Sequence, residues 1–272
     1  MKNNKTVTNR TDLYSDNNNL FVLIGANRLS YFITSPEKVI LLQSIEQLDT
    51  KTFASFFDEE QYFDTLFATV KVGFVTPYTT LVPNLIYTEG SATSYLENSF
   101  SIPHQHYLLI DNLASLQCQN VFLAPIEIYD FLQNKFDHIE FYHAETPLLT
   151  AWQKEAVQFQ QPTIFINVIG RQFQIAAFQQ EKLLLSNTFE FKSAKDFIYY
   201  TLLVFNQLNL STENSKLFLS GEVMQNSRIY KLLYRYIRKI EFISRPTAFQ
   251  FDEQFADQPK HFNFDLYSFY TV

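Results

Sequence analysis

Two stretches of the chain share one hydrophobic pattern. Residues 20–42 read LFVLIGANRLSYFITSPEKVILL, and residues 163–185 read TIFINVIGRQFQIAAFQQEKLLL. Each is an apolar run ending in Ile-Gly, then an alternating segment, then Glu-Lys and a second apolar run. Gly25 and Gly170 lie 145 positions apart (170 − 25), and the Glu37-Lys38 and Glu181-Lys182 pairs lie 144 apart (181 − 37). The copies align with one residue of slack. Such a duplication predicts two similar lobes with a cleft between them, where a ligand would sit.

The same patterning predicts the elements. Residues 1–19 are polar, offer little to bury and are expected to be loose. Residues 20–25, 28–34 and 38–46 read as three strands of a meander, with turns at Asn27 and Ser35-Pro36. From Thr50 to Phe67 the phenylalanines fall near helical spacing, with a break expected near Asp58-Glu59-Glu60. Residues 70–113 read as a small α+β unit inserted into the first lobe, with a kink at Pro77 and a short helix over 89–98. The lobe pattern resumes with the strand NVFLAP, the helix IEIYDFLQNKF, the strand HIEFYHA and a helix from Pro147 to Val157. The second lobe, 161–248, carries three strands to about Phe191 and a helix opened by Ser193 and Asp196. The strand KLFLSG, a helix over 224–239 and the strand EFIS follow. Each lobe therefore reads β-β-β-α-β-α-β, the first spanning 20–160. The tail 249–272 is dense in aromatics. Phe262, Phe264 and Leu266 alternate there, which predicts a strand packing back on the body.

Composition narrows the class. The chain has 272 residues, 46% of them hydrophobic and 17% aromatic, with 29 Phe and 16 Tyr, enough for a large core rich in sheet. The net charge of −7 argues against broad nucleic-acid binding. Cys118 is the one cysteine, so no intrachain disulfide can form, and a reducing, cytoplasmic setting fits best. The N-terminal residues contain no apolar stretch like a secretory signal. No apolar run approaches the roughly 20 residues of a membrane span, so no direct membrane insertion is expected.

The element order resembles the actin-like ATPase superfamily, and within it the pilus-assembly and cell-division branch of the PilM and FtsA type. Tyr95-Leu96-Glu97 leading to Ile102-Pro103-His104 is similar to that branch's helix and "IP" turn. VFLAPIEIYDFL is similar to its strand, small-residue-Pro ending and helix. Leu217-Phe218-Leu219-Ser220-Gly221-Glu222 is similar to its late "L-x-G-G" strand and loop. The likeness spans residues 20–245 and rests on the order of these motifs. The chain also resembles an uncharacterised bacterial domain family of this fold. The resemblance implies duplicated actin-like, ribonuclease H-like α/β lobes with a small α+β insertion in the first.

The departures bear on chemistry. Active members of the superfamily hold nucleotide phosphates with Asp-x-Gly turns in both lobes, the Asp organising Mg²⁺ and water. Here the turns read Leu23-Ile24-Gly25 and Val168-Ile169-Gly170, so both acids have become aliphatic. Asn167 is the nearest polar substitute and has no charge. The double glycine near the adenosine has become Gly221-Glu222, whose carboxylate would oppose phosphate. The resemblance thus implies a degenerate nucleotide cleft formed by Gly25, Asn27, Asn167, Gly170, Ser220, Gly221 and Glu222. No catalytic residue, metal ligand or cofactor is expected, and ATP with Mg²⁺ is disfavoured.

Other constellations read simply. His104 and His106 lack further ligands and suit a polar turn, and His138 and His143 flank a strand. Cys118, between glutamines and before an apolar strand, reads as core. Arg228, Lys231, Arg235 and Arg238, with Lys239, form a basic stripe that either faces water or receives an acidic partner. Phe262 and Phe264 in the tail are the aromatic candidates for the same surface. The leading reading is a non-catalytic actin-like scaffold or adaptor with an unidentified protein partner, and a homodimer is compatible with it. The alternative is a nucleotide-binding ATPase or switch with non-standard phosphate contacts.

Overall fold

A computed structural model describes residues 3–7, 11–25, 27–46 and 50–272. The chain divides into two units, Met1–Thr146 with Thr247–Asp257, and Pro147–Pro246 with Gln258–Val272.

In chain order the first unit holds β1 (Asn3–Val7), β2 (Asn19–Ile24), β3 (Arg28–Thr34), β4 (Val39–Glu46), α1 (Thr50–Glu59) and β5 (Thr69–Phe74). Then come β6 (Thr79–Pro83), α2 (Ala92–Glu97), β7 (His106–Leu113), β8 (Cys118–Pro125), α3 (Ile126–Lys135) and β9 (Ile139–His143), and the chain leaves the unit in α4 (Glu145–Ala156). The main sheet has the order β1-β4-β3-β2-β5-β9. β2, β3 and β4 form an antiparallel meander, while β5 is parallel to both β2 and β9. β2 reads as a continuous apolar run because both its faces are covered. Leu20, Val22 and Ile24 face a core with Phe53 and Phe57 of α1 and Leu132 of α3. On the other face Phe21 stacks on Phe32 at 4.5 Å, and Phe249 closes over both. Burial of each such ring contributes about 1.5–3 kcal/mol. Helix α1 stops at Glu59, next to the acidic run expected to break it, and Gln61–Asp64 continues as a 3₁₀ turn.

Two expectations for this unit are corrected. Residues 1–19 are not all loose: β1 pairs antiparallel with β4 from Asn3↔Ile45 to Val7↔Leu41, and Thr11–Tyr14 forms a 3₁₀ turn. A polar strand at a sheet edge is held by its backbone ladder, which a burial argument does not register. The insertion also has different limits. β5 belongs to the main sheet, and the inserted sheet is β6-β8-β7, so the inserted strands run from Thr79 to Pro125 rather than 70–113. β8 reads like a lobe strand because it is the central strand of the small sheet, buried from Asn120 to Ala124.

The second unit holds β10 (Thr163–Ile169), β11 (Gln172–Gln179), β12 (Lys182–Glu190), α5 (Ala194–Gln207), β13 (Lys216–Gly221), α6 (Arg228–Tyr236), β14 (Lys239–Phe242) and α7 (Phe264–Tyr267). Its sheet order, β12-β11-β10-β13-β14, repeats β4-β3-β2-β5-β9 of the first unit, again with an antiparallel meander and two parallel additions. The duplication read from the sequence is thus a duplication of topology. Ser193 and Asp196 close a reciprocal capping box at α5. The division between units falls after Thr146 rather than at 160, because α4 packs with the second sheet, Trp152 stacking on Phe165 at 5.8 Å. The tail is helical rather than extended. Phe264, Leu266, Tyr267 and Phe269 are buried around α7 and a 3₁₀ turn, Ser268–Thr271. Among the described residues no helix is long and apolar enough to cross a membrane.

Candidate functional site

The two glycine turns occupy corresponding hairpins, β2–β3 in the first unit and β10–β11 in the second. They differ in local chemistry. Gly25 donates its N–H to the Arg28 carbonyl at 2.8 Å. It is not in the left-handed region, and a Cβ there would meet nothing nearer than 3.8 Å. Asn27 follows on the exposed side of the turn. Gly170 has φ +58° and open space around it.

The second unit draws five of the seven cleft candidates into one knot. Gly170 donates its N–H to Glu222 Oε2 at 2.9 Å, across 52 positions of sequence. Glu222 in turn donates its own N–H to the Val168 carbonyl at 2.7 Å. Between them Gly221 has φ +76°, and a Cβ there would lie 2.2 Å from Val168 O and 2.9 Å from Asn167 Oδ1, so only glycine fits. The Ser220 hydroxyl lies 2.9 Å from Asn167 Oδ1, and Asn167 Nδ2 reaches Gln174 Oε1 at 3.5 Å. The parallel pairing of β10 with β13 sets Asn167 beside Ser220 and Val168 beside Gly221, which is why these residues meet.

His261, which sequence reasoning did not single out, ties the tail to this knot. Its carbonyl accepts from Gly221 N–H at 2.9 Å, its Nε2 lies 2.6 Å from the Val223 carbonyl, and its ring stacks on Phe242 at 4.0 Å. Burial holds its pKa below the ordinary histidine value, against the pull of the Val223 carbonyl. No spacing signal marks it, because its hydrogen-bond partners lie 38 or more positions upstream.

The basic stripe is shorter than expected as a helix. Helix α6 starts after the cap Ser227 and ends at Tyr236, so Arg238 and Lys239 lie beyond it. Arg228, Lys231 and Arg235 are exposed on its outer face, and no acidic residue occurs from Val223 to Lys239. Arg238 sits 3.8 Å from Glu213. Phe264 is only 3% exposed and is withdrawn from any partner surface, because α7 turns it into the core. Phe262 is half-buried against His261.

The first unit contains a buried polar cluster that the sequence did not announce. Asp111 of β7 accepts the His143 N–H at 2.8 Å and the Thr146 hydroxyl at 2.5 Å. Asn120 Nδ2 reaches Thr146 Oγ1 at 3.2 Å, and Thr79 Oγ1 reaches Asn120 Oδ1 at 2.6 Å. Burial raises the Asp111 pKa to about 7, the two hydrogen bonds opposing it. His143, buried with Nε2 3.1 Å from the Thr76 carbonyl, is pushed down to about 4. Cys118 is buried and its thiol is pushed up to about 11, first by desolvation and then by Glu145, which does not suit a nucleophile. His106 Nδ1 meets the His104 carbonyl at 2.9 Å in an exposed turn. Among the described residues no three His, Cys, Asp or Glu side chains are grouped to hold a metal.

Two meander sheets of matching strand order, with a small sheet inserted in the first, make the actin-like ATPase fold. A Bacteroides thetaiotaomicron protein with an actin-like ATPase fold and unknown function matches at TM-score 0.80 and 20% identity, over 95% of this chain and 97% of that one. A chain of the PilM–PilN type IV pilus biogenesis complex matches at TM-score 0.63 and 16% identity, over 93% of this chain and 98% of that one. The chain belongs to the family described as protein of unknown function DUF3822, whose model matches residues 8–240. No curated protein matches it.

Proposed function

We propose that this protein is a non-catalytic actin-like scaffold, cytoplasmic, that binds a protein partner and has a degenerate nucleotide cleft. The observation that carries the reading is the Glu222 carboxylate on the Gly170 N–H. The resemblance puts phosphate at such a turn, and an anion arriving there would meet a carboxylate already bonded to the donor. The residues at the Asp positions of the two turns, Leu23 and Val168, supply no side-chain oxygen for Mg²⁺, a cation that takes oxygen ligands. The residues present therefore do not fit a Mg²⁺–nucleotide complex of the usual kind. The partner surface in this reading is the outer face of α6, with Arg228, Lys231 and Arg235. That a chain of the same fold is found in the PilM–PilN complex supports a role in assembly.

Thermal unfolding with and without Mg²⁺-ATP tests this. A site occupied at about 100 times its Kd adds about 2.7 kcal/mol of stability. No shift is expected for the wild type. A saturable shift, together with phosphate release that a Gly170 or Glu222 substitution abolishes, would establish the ATPase or switch reading instead.

A further inference from the structure

Helix α6 carries its charges in one row. In RIYKLLYRY, Arg228, Lys231 and Arg235 are spaced three and four residues apart, so they fall within about 60° of the helix circumference. They advance along the axis by about 4.5 and then about 6 Å, a row about 10 Å long. Leu233 and Ile237 are buried on the opposite face, and Ile229 and Leu232 pack against the same core. A solvated helix face can balance its cations with acids three or four residues away. α6 contains no acid, and among the described residues none of the three cations forms an ion pair. The pairs of this unit lie elsewhere, Lys216 with Glu241 at 3.0 Å and Arg238 with Glu213 at 3.8 Å. Tyr234 and Tyr236 flank the row, one on each side, 62% and 51% exposed. Tyrosine and arginine are the residue types enriched where proteins meet.

We propose, in an inference that rests on the reading of α6 as the partner surface, that this row docks an acidic polypeptide segment of the partner, with carboxylates placed to meet three cations in line. Charge complementarity sets the sign of the occupant, and the shape of the row sets its class. Side chains on one face of an extended segment recur about every 6.7 Å, so three carboxylates at alternate positions span about 13 Å, close to the length of the row. The planar forks of Arg228 and Arg235 suit carboxylates, which they bind through two parallel hydrogen bonds. An anionic membrane fits less well, because the apolar residues of α6 are already committed to the core and leave none to enter the acyl region. A long polyanion such as nucleic acid extends beyond the row and meets a chain of net charge −7. A short acidic segment stays within a screening length of about 8 Å of its three cations.

Fluorescence anisotropy with a labelled peptide of alternating glutamate and serine, about ten residues long, tests it. The wild type is expected to bind saturably at low salt and more weakly as salt rises. Replacing all three cations, Arg228→Gln with Lys231→Gln and Arg235→Gln, should weaken binding roughly tenfold, the combined loss of three exposed pairs. The charge-reversed protein, Arg228→Glu with Lys231→Glu and Arg235→Glu, should lose the glutamate peptide and gain a lysine-serine peptide of the same length, a gain that an unfolded variant would not show. No saturable binding by the wild type up to about 1 mM peptide overturns the proposal. So does binding that the glutamine replacements leave unchanged, or tighter binding of phosphatidylserine vesicles or oligothymidine through the same three residues. A flat Mg²⁺-ATP unfolding scan with no peptide binding overturns the acidic occupant alone and leaves the non-catalytic scaffold standing. A Mg²⁺-ATP shift overturns the scaffold reading whatever the peptide does.

Discussion

Replacing Asp111 by Asn should stabilise the protein in a pH-dependent way. The carboxyl is 7% exposed on β7 and accepts from His143 N–H and the Thr146 hydroxyl. Its folded pKa is about 7 against 3.8 for the free group, because burial outweighs the two hydrogen bonds. The folded state therefore keeps a proton that the unfolded state releases between those two values. Stability from this group is fully present below about pH 4 and is lost as pH rises to about 7, by about 1.4 kcal/mol per pH unit. The window spans about 3 pH units, so the loss by pH 8 is about 4 kcal/mol at most. An asparagine oxygen can accept the same two bonds and holds no charge. Urea unfolding of both proteins from pH 4 to 8 isolates the effect, since the titration of other groups cancels in the difference. The variant should match the wild type near pH 4 and exceed it increasingly toward pH 8. A difference that does not change with pH, or a variant that is less stable at pH 8, refutes the reasoning.

Gly221→Ala should destabilise by more than about 2 kcal/mol in urea unfolding, from left-handed backbone strain and overlap with Val168 O, whereas Gly25→Ala should stay within about 1 kcal/mol. Ser193→Ala removes the capping box of α5 and should lose about 1 kcal/mol by the same measurement. Deleting 258–272 withdraws Phe264, Leu266, Tyr267 and Phe269 and uncovers their contacts, so melting temperature and solubility should both fall. An unchanged melting temperature would show that the tail is not core.

The repeated lobe was legible because its inner strands are covered on both faces. β2 keeps an unbroken apolar run from Leu20 to Ile24 and β10 one broken only by Asn167, and the turns between meander strands end them at Gly25 and Gly170. The cap at Ser193 was legible because a capping box is local, its partners three positions apart. What failed had non-local or backbone causes. β1 is held by hydrogen bonds to β4 that no side-chain pattern records. β8 carries a lobe-like run because the insertion has a sheet of its own with a covered central strand. In the tail, Phe262, Phe264 and Leu266 alternate like a strand, yet Phe264 with Tyr267 and Leu266 with Phe269 also fall at the three-residue helical interval. The pattern admits both periods, and packing selects the helical one.

The candidate site divides along the same line. That the turns lack acids can be read directly from Leu23 and Val168. That Glu222 bonds Gly170 cannot, because the contact exists only once β13 lies parallel to β10 and Gly221 reverses the chain in a left-handed turn. The sequence suggests a carboxylate opposing phosphate from beside the adenosine. The structure has that carboxylate bonded to the turn's own donor, a different physical statement. Opposition through space weakens with distance and salt, whereas an occupied donor must lose a hydrogen bond before it can make another. If Glu222 governs the turn in the second way, Glu222→Gln should leave anion affinity nearly as low as in the wild type, since an amide oxygen still accepts from Gly170. Glu222→Ala should raise it, because the donor is freed. Isothermal titration with inorganic phosphate separates the two accounts: equal gains for both variants would mean that charge alone excludes the anion, and that the hydrogen bond is incidental.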